Sequence, residues 1–325
     1  MRWEVALIVV LIGVLAFGSA ESSTFISSST FFFTGLNMGE IAIMALPLLL
    51  IVMVGEIDLS VASMLGLSGT VMGYLFQHGS SIWLAMAAAL LVGAVGGALN
   101  GILIAGLGLP SIAVTIGTLT LFRGAAEIIL PNPTTKLLPT SLTKIGIAPI
   151  QGTQLAYSAG IFIVLAVVCG VVLHATPLGR SLVAIGLQPE AAQFSGIRVN
   201  RIKFGLYVLS GIVCAFAGVL FTLKNSSASY GAGTGLELTV VAVVLFGGVS
   251  IFGGRGTVAG VVLSVIIVGA LQQALTQMHV QAEIQNIVTG SLLLLSVIVP
   301  NGGDVLHRLR ARLRVRDPQV RPTSA

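Results

Sequence analysis

Charge is scarce in this chain: 8% of its 325 residues are Asp, Glu, Lys or Arg, against about a quarter in an ordinary soluble domain. With 55% hydrophobic residues and a mean hydropathy of +1.04, this excludes a conventional globular protein. Repeated apolar runs approach the roughly 20 residues that cross a bilayer, so the chain reads as a polytopic membrane protein. Cysteine is nearly absent. Cys169 and Cys214 sit in separate apolar runs, which reads as packing and carries no information on redox compartment. The spacings of enzyme chemistry are missing as well: there is no HExxH, no GxSxG, no Cys/His cluster and no acid dyad within one run. Without GxxxxGK[ST], the chain cannot by itself bind and hydrolyse ATP through a P-loop. The stretch Gly254 to Ala259 fits GxGxxA in form, but it follows an apolar run rather than a soluble strand and carries no dinucleotide role. No catalytic residue, cofactor or metal is expected.

The charge that is present lies unevenly. Six arginines after Pro300 account for most of the net charge of +5. A cytoplasmic tail near anionic lipid explains them more simply than nucleic acid does. The N-terminus has a basic start, an apolar middle and a Gly18-Ser19-Ala20 ending. That is the outline of a signal peptide, although a retained first span is favoured because many more spans follow.

Apolar runs lie at about Val5 to Ala20, Ile41 to Val54, Leu59 to Phe76, Ile82 to Ala105, Ser111 to Leu130, Leu155 to Leu173, Phe204 to Leu223, Leu236 to Phe252, Thr257 to Leu275 and Ile284 to Val299. The fold expected is all-α, with about ten transmembrane helices and both termini cytoplasmic. That orientation puts Arg2, Arg180, Arg198, Arg201, Lys203, Arg255 and the tail arginines inside, and Lys136, Lys144 and Lys224 outside. Residues 1–36 form an N-terminal span and external linker, 37–300 the transmembrane domain, and 301–325 the basic tail. The Pro131 to Gln154 loop is external; the charged His174 to Lys203 loop is cytoplasmic.

An internal repeat organises these spans. DLSVASMLGLSG from Asp58 parallels ELTVVAVVLFGG from Glu237, and GALNGIL from Gly97 parallels GALQQAL from Gly269. The offset is five spans, an odd number, so the copies, about 1–154 and 155–300, cross the membrane in opposite directions. This is the inverted-repeat signature of transporters. Rows of glycine at four-residue spacing, Gly93, Gly97 and Gly101 above all, let helix backbones approach closely.

Polar groups at membrane depth are costly and become pathway candidates. Asn100 and Gln272 occupy matching repeat positions, and Thr115, Thr118 and Thr120 lie on the fifth span ahead of Arg123 and Glu127. The last two either neutralise each other at i and i+4 or leave Arg123 a direct role near the external mouth. In GEIDLSV, Asp58 opens the third span against the positive end of its dipole and Ser60 is placed to satisfy a free backbone amide. Glu237 is the counterpart of Asp58 on the other side. Glu56 has no evident partner.

EIDLSVASMLGLSG, LNGILIAGLGLPSIAVTIGTLTLFRG, AIGLQPEAAQFSGIRVNRIKFGLYVLSG and GTGLELTVVAVVLFGGVSIFGGRGTVAG together resemble the permease subunits of bacterial ABC importers for sugars. This is the ribose/galactose/xylose permease family, closest in look to the rhamnose and autoinducer-2 permeases. Glu56 departs from the glycine usual there. The resemblance implies alternating-access import of a monosaccharide or sugar-like molecule, with a branched-chain amino acid permease or an ion-coupled secondary transporter as alternatives. It also implies a cytoplasmic ABC ATPase, a second permease chain (a heterodimer rather than a homodimer), an extracytoplasmic sugar-binding protein and a bacterial inner-membrane location. Gln188, Pro189, Glu190, Ala191, Ala192 and Gly196 would then form the coupling helix that seats on the ATPase. Pro189 and Glu190 suit the first turn of a helix and Gly196 its end, while Gln188 is a poor cap.

Overall fold

The computed structural model describes residues 3–134, 138–292 and 294–295. Every apolar run expected to span forms helix within these residues: α1 (Trp3–Glu21), α2 (Ser28–Met53), α3 (Val61–Gln77), α4 (Ile82–Gly101), α5 (Ser111–Ile129), α7 (Tyr157–Ala175), α10 (Val199–Asn225), α11 (Leu236–Phe246), α12 (Val258–Gln277) and a last stretch over 282–292. A π-helical turn, Ile102–Gly106, extends α4. Seven of these helices are long and apolar enough to cross a membrane, which makes the chain an all-helical polytopic membrane protein. Short helices occupy the two long loops: α6 (Thr140–Ile147) in one, α8 (Pro177–Leu187) and α9 (Pro189–Phe194) in the other. Arg2, Lys136, the end of the last run and the tail arginines lie outside the described residues.

The second span is longer than its apolar core. It starts at Ser28 rather than Ile41, where the Ser27 side chain accepts a hydrogen bond from Thr30 N at 3.2 Å. The linker assigned up to residue 36 therefore shrinks to the turn between α1 and α2. Helix continues through Glu40 because Lys224 meets its carboxylate at 2.7 Å, which removes the penalty of an unpaired acid at depth. At the other extreme α11 has 11 residues, about 16 Å of helix. It lies between Gly235, with φ of 86°, and Gly247–Gly248, the second with φ of 84°.

The two halves are related as the repeat requires. Glu40 of α2 pairs with Lys224 near the end of α10, and Glu56, just beyond α2, pairs with Lys203 near the start of α10. The corresponding helices α2 and α10 therefore run antiparallel. Likewise α10 packs on α3 and α4 while α2 packs on α11 and α12. Gly97 lies against the Tyr207 carbonyl of α10, and its repeat partner Gly269 against Met38 and Thr34 of α2. Along α4, Gly93, Gly97 and Gly101 meet Gly211, Tyr207 and Phe204 in turn, so the glycine row is a seam between antiparallel backbones.

Helix α1 packs along α12. Trp3 Nε1 donates to the Phe246 carbonyl at 2.9 Å, and Thr257 Oγ1 donates to Glu4 Oε1 at 3.2 Å. Cys169 and Cys214 are buried and free.

Candidate functional site

Between Met53 and Val61 the chain is not helical, yet Asp58 and Ser60 are buried. Irregular backbone is tolerated at membrane depth only where protein satisfies it, and here neighbouring helices do so. Ile57 N donates to Ser111 Oγ at 3.2 Å, and Thr115 Oγ1 donates to the Ile57 carbonyl at 3.3 Å. Asp58 Oδ1 accepts from the Ser60 amide at 2.9 Å and the Ser60 hydroxyl at 2.6 Å, while Oδ2 accepts from Ser210 Oγ at 3.0 Å. Asn100 Nδ2 donates to Ser60 Oγ at 2.9 Å. Four pieces of the bundle, the 54–60 segment, α4, α5 and α10, are thus joined by one polar cluster.

This corrects the reading of Ser60 as a cap. Ser60 occupies the N-cap position of α3 but makes no side-chain bond to the helix amides, because its backbone is already helical (φ −80°, ψ −6°) and its hydroxyl oxygen accepts from Asn100 instead. Glu56 also gains a partner, Lys203, in a half-buried ion pair.

A second correction concerns Arg123. No ion pair joins it to Glu127 among the described residues; instead Nη1 donates to the Ala232 carbonyl at 2.8 Å, and Nη2 lies 3.9 Å from Glu237 Oε2. The acid sits in the first turn of α11, beside the non-helical approach to that helix, and the guanidinium reaches both groups where a same-helix partner offers only one. Helix α5 thereby supports both irregular segments: Ser111 and Thr115 hold the one before α3, and Arg123 holds the one before α11. Thr118, buried between them, donates to the Thr115 carbonyl at 3.4 Å. Gln272 is half-buried on α12 and is not drawn into either cluster.

The loop at the basic end forms a helical hairpin. Helix α9 has Gln188 at its N-cap without a side-chain bond, and Pro189 and Glu190 in its first turn. Gly196 follows with φ of 86°, a left-handed turn that glycine adopts freely. Gln188, Pro189, Glu190 and Ala191 are exposed; Ala192 alone is buried and anchors the helix. Phe194 is 94% exposed, an aromatic left with nothing to pack on. Its place three residues after Ala191 in a hydrophilic loop was the available signal for it.

Ser210, Lys203, Glu40 and Lys224 also escaped sequence reasoning. Lys203, Tyr207 and Ser210 fall on one face of α10 at spacings of four and three residues. That polar stripe was the usable signal.

Inverted halves, two helices that begin beside irregular buried backbone, and polar clusters joining the halves define the class as a membrane transport bundle. Residues 31–297 match the family described as "Branched-chain amino acid transport system / permease component". The L-arabinose ABC transporter permease protein AraH of Azospirillum brasilense is 34% identical over 263 residues, which cover 81% of this chain and 77% of the relative. The autoinducer 2 import system permease protein LsrD of Escherichia coli O9:H4 (strain HS) is 33% identical over 315 residues, 94% of this chain and 93% of the relative. No solved structure matches. The chain belongs to this family of ABC-transporter permeases, and it is a multi-pass protein of the bacterial inner membrane.

Proposed function

We propose that the chain is the translocation subunit of an ABC importer for a sugar or sugar-like molecule, of the arabinose or autoinducer-2 kind. The observation that carries the reading is α9: a short helix at the basic end whose exposed surface ends in Phe194 and whose only buried residue is Ala192. The basic end is then cytoplasmic, α9 is the coupling helix, and an ATPase supplies the P-loop absent from this chain. The remaining partners are a second permease, different from this one, and an extracytoplasmic binding protein that delivers substrate. About ten spans place both termini inside.

In this cycle ATPase closure displaces the coupling helices, and the paired permeases change the side to which their shared path opens. A neutral polyol is met by hydrogen-bonding groups rather than a counter-charge. Arg123 of α5 and Gln272 of α12, which keep some exposure, are the proposed walls of that path, and Asn100 and Thr118, buried on α4 and α5, support it from within the bundle. Among these Arg123 is best suited to move, because its contact with Glu237 is long and both side chains keep some exposure. Asp58, Ser60 and Glu237 keep the helix starts in place. The family description names amino acids, but both relatives described above are named for a sugar or an autoinducer, which favours the polyol reading.

Reconstitution in liposomes tests this. Uptake of arabinose or autoinducer-2 should require ATP, the ATPase and the binding protein together. Uptake by the chain alone, driven by a proton or sodium gradient, would overturn the assignment.

A further inference from the structure

The hairpin containing α9 touches the end of α2 and the irregular 54–60 segment that follows it from both of its limbs. On the entry limb, Gly186 lies so close to the Met53 carbonyl and Gly254 N that a Cβ would overlap both, and Gly254 N itself donates to Met53 O at 2.9 Å. On the exit limb, Lys203 of α10 closes the ion pair with Glu56. From this grip the segment fans out at once: Ile57 to Ser111 and Thr115 of α5, Asp58 to Ser210 of α10, and Ser60 to Asn100 of α4.

We infer that Glu56 and Lys203 are positioning residues that tie the ATPase-docking hairpin to the irregular segment, so that displacement of α9 is passed to the polar cluster at the start of α3. The inference rests on the permease reading above. The entry-limb contact is backbone against backbone and pushes in one direction only. An attractive contact is needed for the segment to follow the hairpin back, and two side-chain links to the exit limb supply it: the ion pair in the second turn of α10, which stands nearer to α9 along the chain, and the Asp58–Ser210 hydrogen bond further along the same helix. Both side chains are 15% exposed, so water screens the pair little and its attraction survives at physiological salt. Coupling free energies of this kind change the linkage between two sites without changing either site itself.

The test uses the complete importer, with ATPase and binding protein, in liposomes. Glu56→Gln and Lys203→Met are each expected to retain the co-purified ATPase and to lower uptake per ATP hydrolysed about tenfold. Lys203→Arg should keep native coupling, and the exchange Glu56→Lys with Lys203→Glu should recover most of it. Native uptake per ATP in Glu56→Gln, loss of ATPase in proportion to uptake, or an exchange no better than either single variant overturns the inference. If the charge variants do not accumulate in the membrane, the double variant Glu56→Cys, Lys203→Cys decides. Joining the two thiols with a bifunctional thiol reagent should raise uptake per ATP above the unjoined protein, and no rise overturns the inference. Failure of the native complex to show any ATP-dependent uptake would instead strike the permease reading.

Discussion

Glu40 and Lys224 close an ion pair at 2.7 Å at the end of the α2–α10 crossing opposite to Glu56 and Lys203, with the Glu40 side chain 3% exposed. Lys224 Nζ also donates to the Leu36 carbonyl at 3.2 Å, so the ammonium serves α2 twice. The commonest way for such a pair to fail is for one member to be removed, which strands a buried charge.

Lys224→Met should therefore destabilise the folded protein by about 3 kcal/mol. Replacing both residues, Glu40→Leu with Lys224→Met, should recover most of that loss, since the stranded charge is gone. Thermal unfolding in detergent of the two single variants and the double one measures it.

The α4 seam predicts a sharp contrast among glycines. Gly97→Val drives a branched side chain into the Tyr207 carbonyl and should cost at least about 3 kcal/mol or abolish folding, because backbone cannot give way as a side chain does. Gly13→Ala on α1 meets nothing within 4 Å and should leave yield and melting temperature unchanged. Monodispersity after size-exclusion chromatography separates the two.

Asp58 accepts three hydrogen bonds, and the nature of the substitution should matter more than loss of charge. Asp58→Asn keeps an oxygen for Ser60 and offers an amide to the Ser210 hydroxyl, whereas Asp58→Ala leaves buried donors without acceptors. The alanine variant should be less stable than the asparagine variant by about 2 kcal/mol. Equal melting temperatures for the two would contradict the described cluster.

At α9 the expected phenotype is loss of a partner, not of the fold. Phe194→Ala, alone or with Glu190→Ala, should weaken recovery of the ATPase in pull-downs about tenfold or more, as truncation of an aromatic anchor does. Membrane insertion should be normal. Gly196→Val should act the same way for a different reason: a left-handed backbone costs a branched residue about 1–2 kcal/mol, which unseats the end of α9.

Local patterns made much of this architecture readable. Apolar runs located the helices, the glycine row on α4 located a close seam, and the pairing of Gly97 with Gly269 located the same place in each half. The signals for α9, Pro189 ahead of Glu190 and glycine at 196, are likewise confined to a few neighbouring residues. What stayed hidden lies between distant positions. Glu56 and Lys203 are 147 residues apart, and Glu40 and Lys224 are 184 apart, so no helical period links them. Arg123 misled in the opposite sense: a good partner stood four residues away, but the irregular approach to α11 offered it a carbonyl and a carboxylate together. Ser60 looked like a cap because serine caps helices, but Asn100, 40 residues further on, donates to the oxygen that a cap would have used.

The central crossing of α2 and α10 carries two acids and two lysines that cancel pairwise. A membrane potential does work on charge that moves through it, about 2.3 kcal/mol per elementary charge for each 100 mV. A crossing whose charges travel as closed pairs moves none. Any movement that carries α2 and α10 together is therefore electrically silent, and on such a movement these four residues give the resting voltage of the cell no lever.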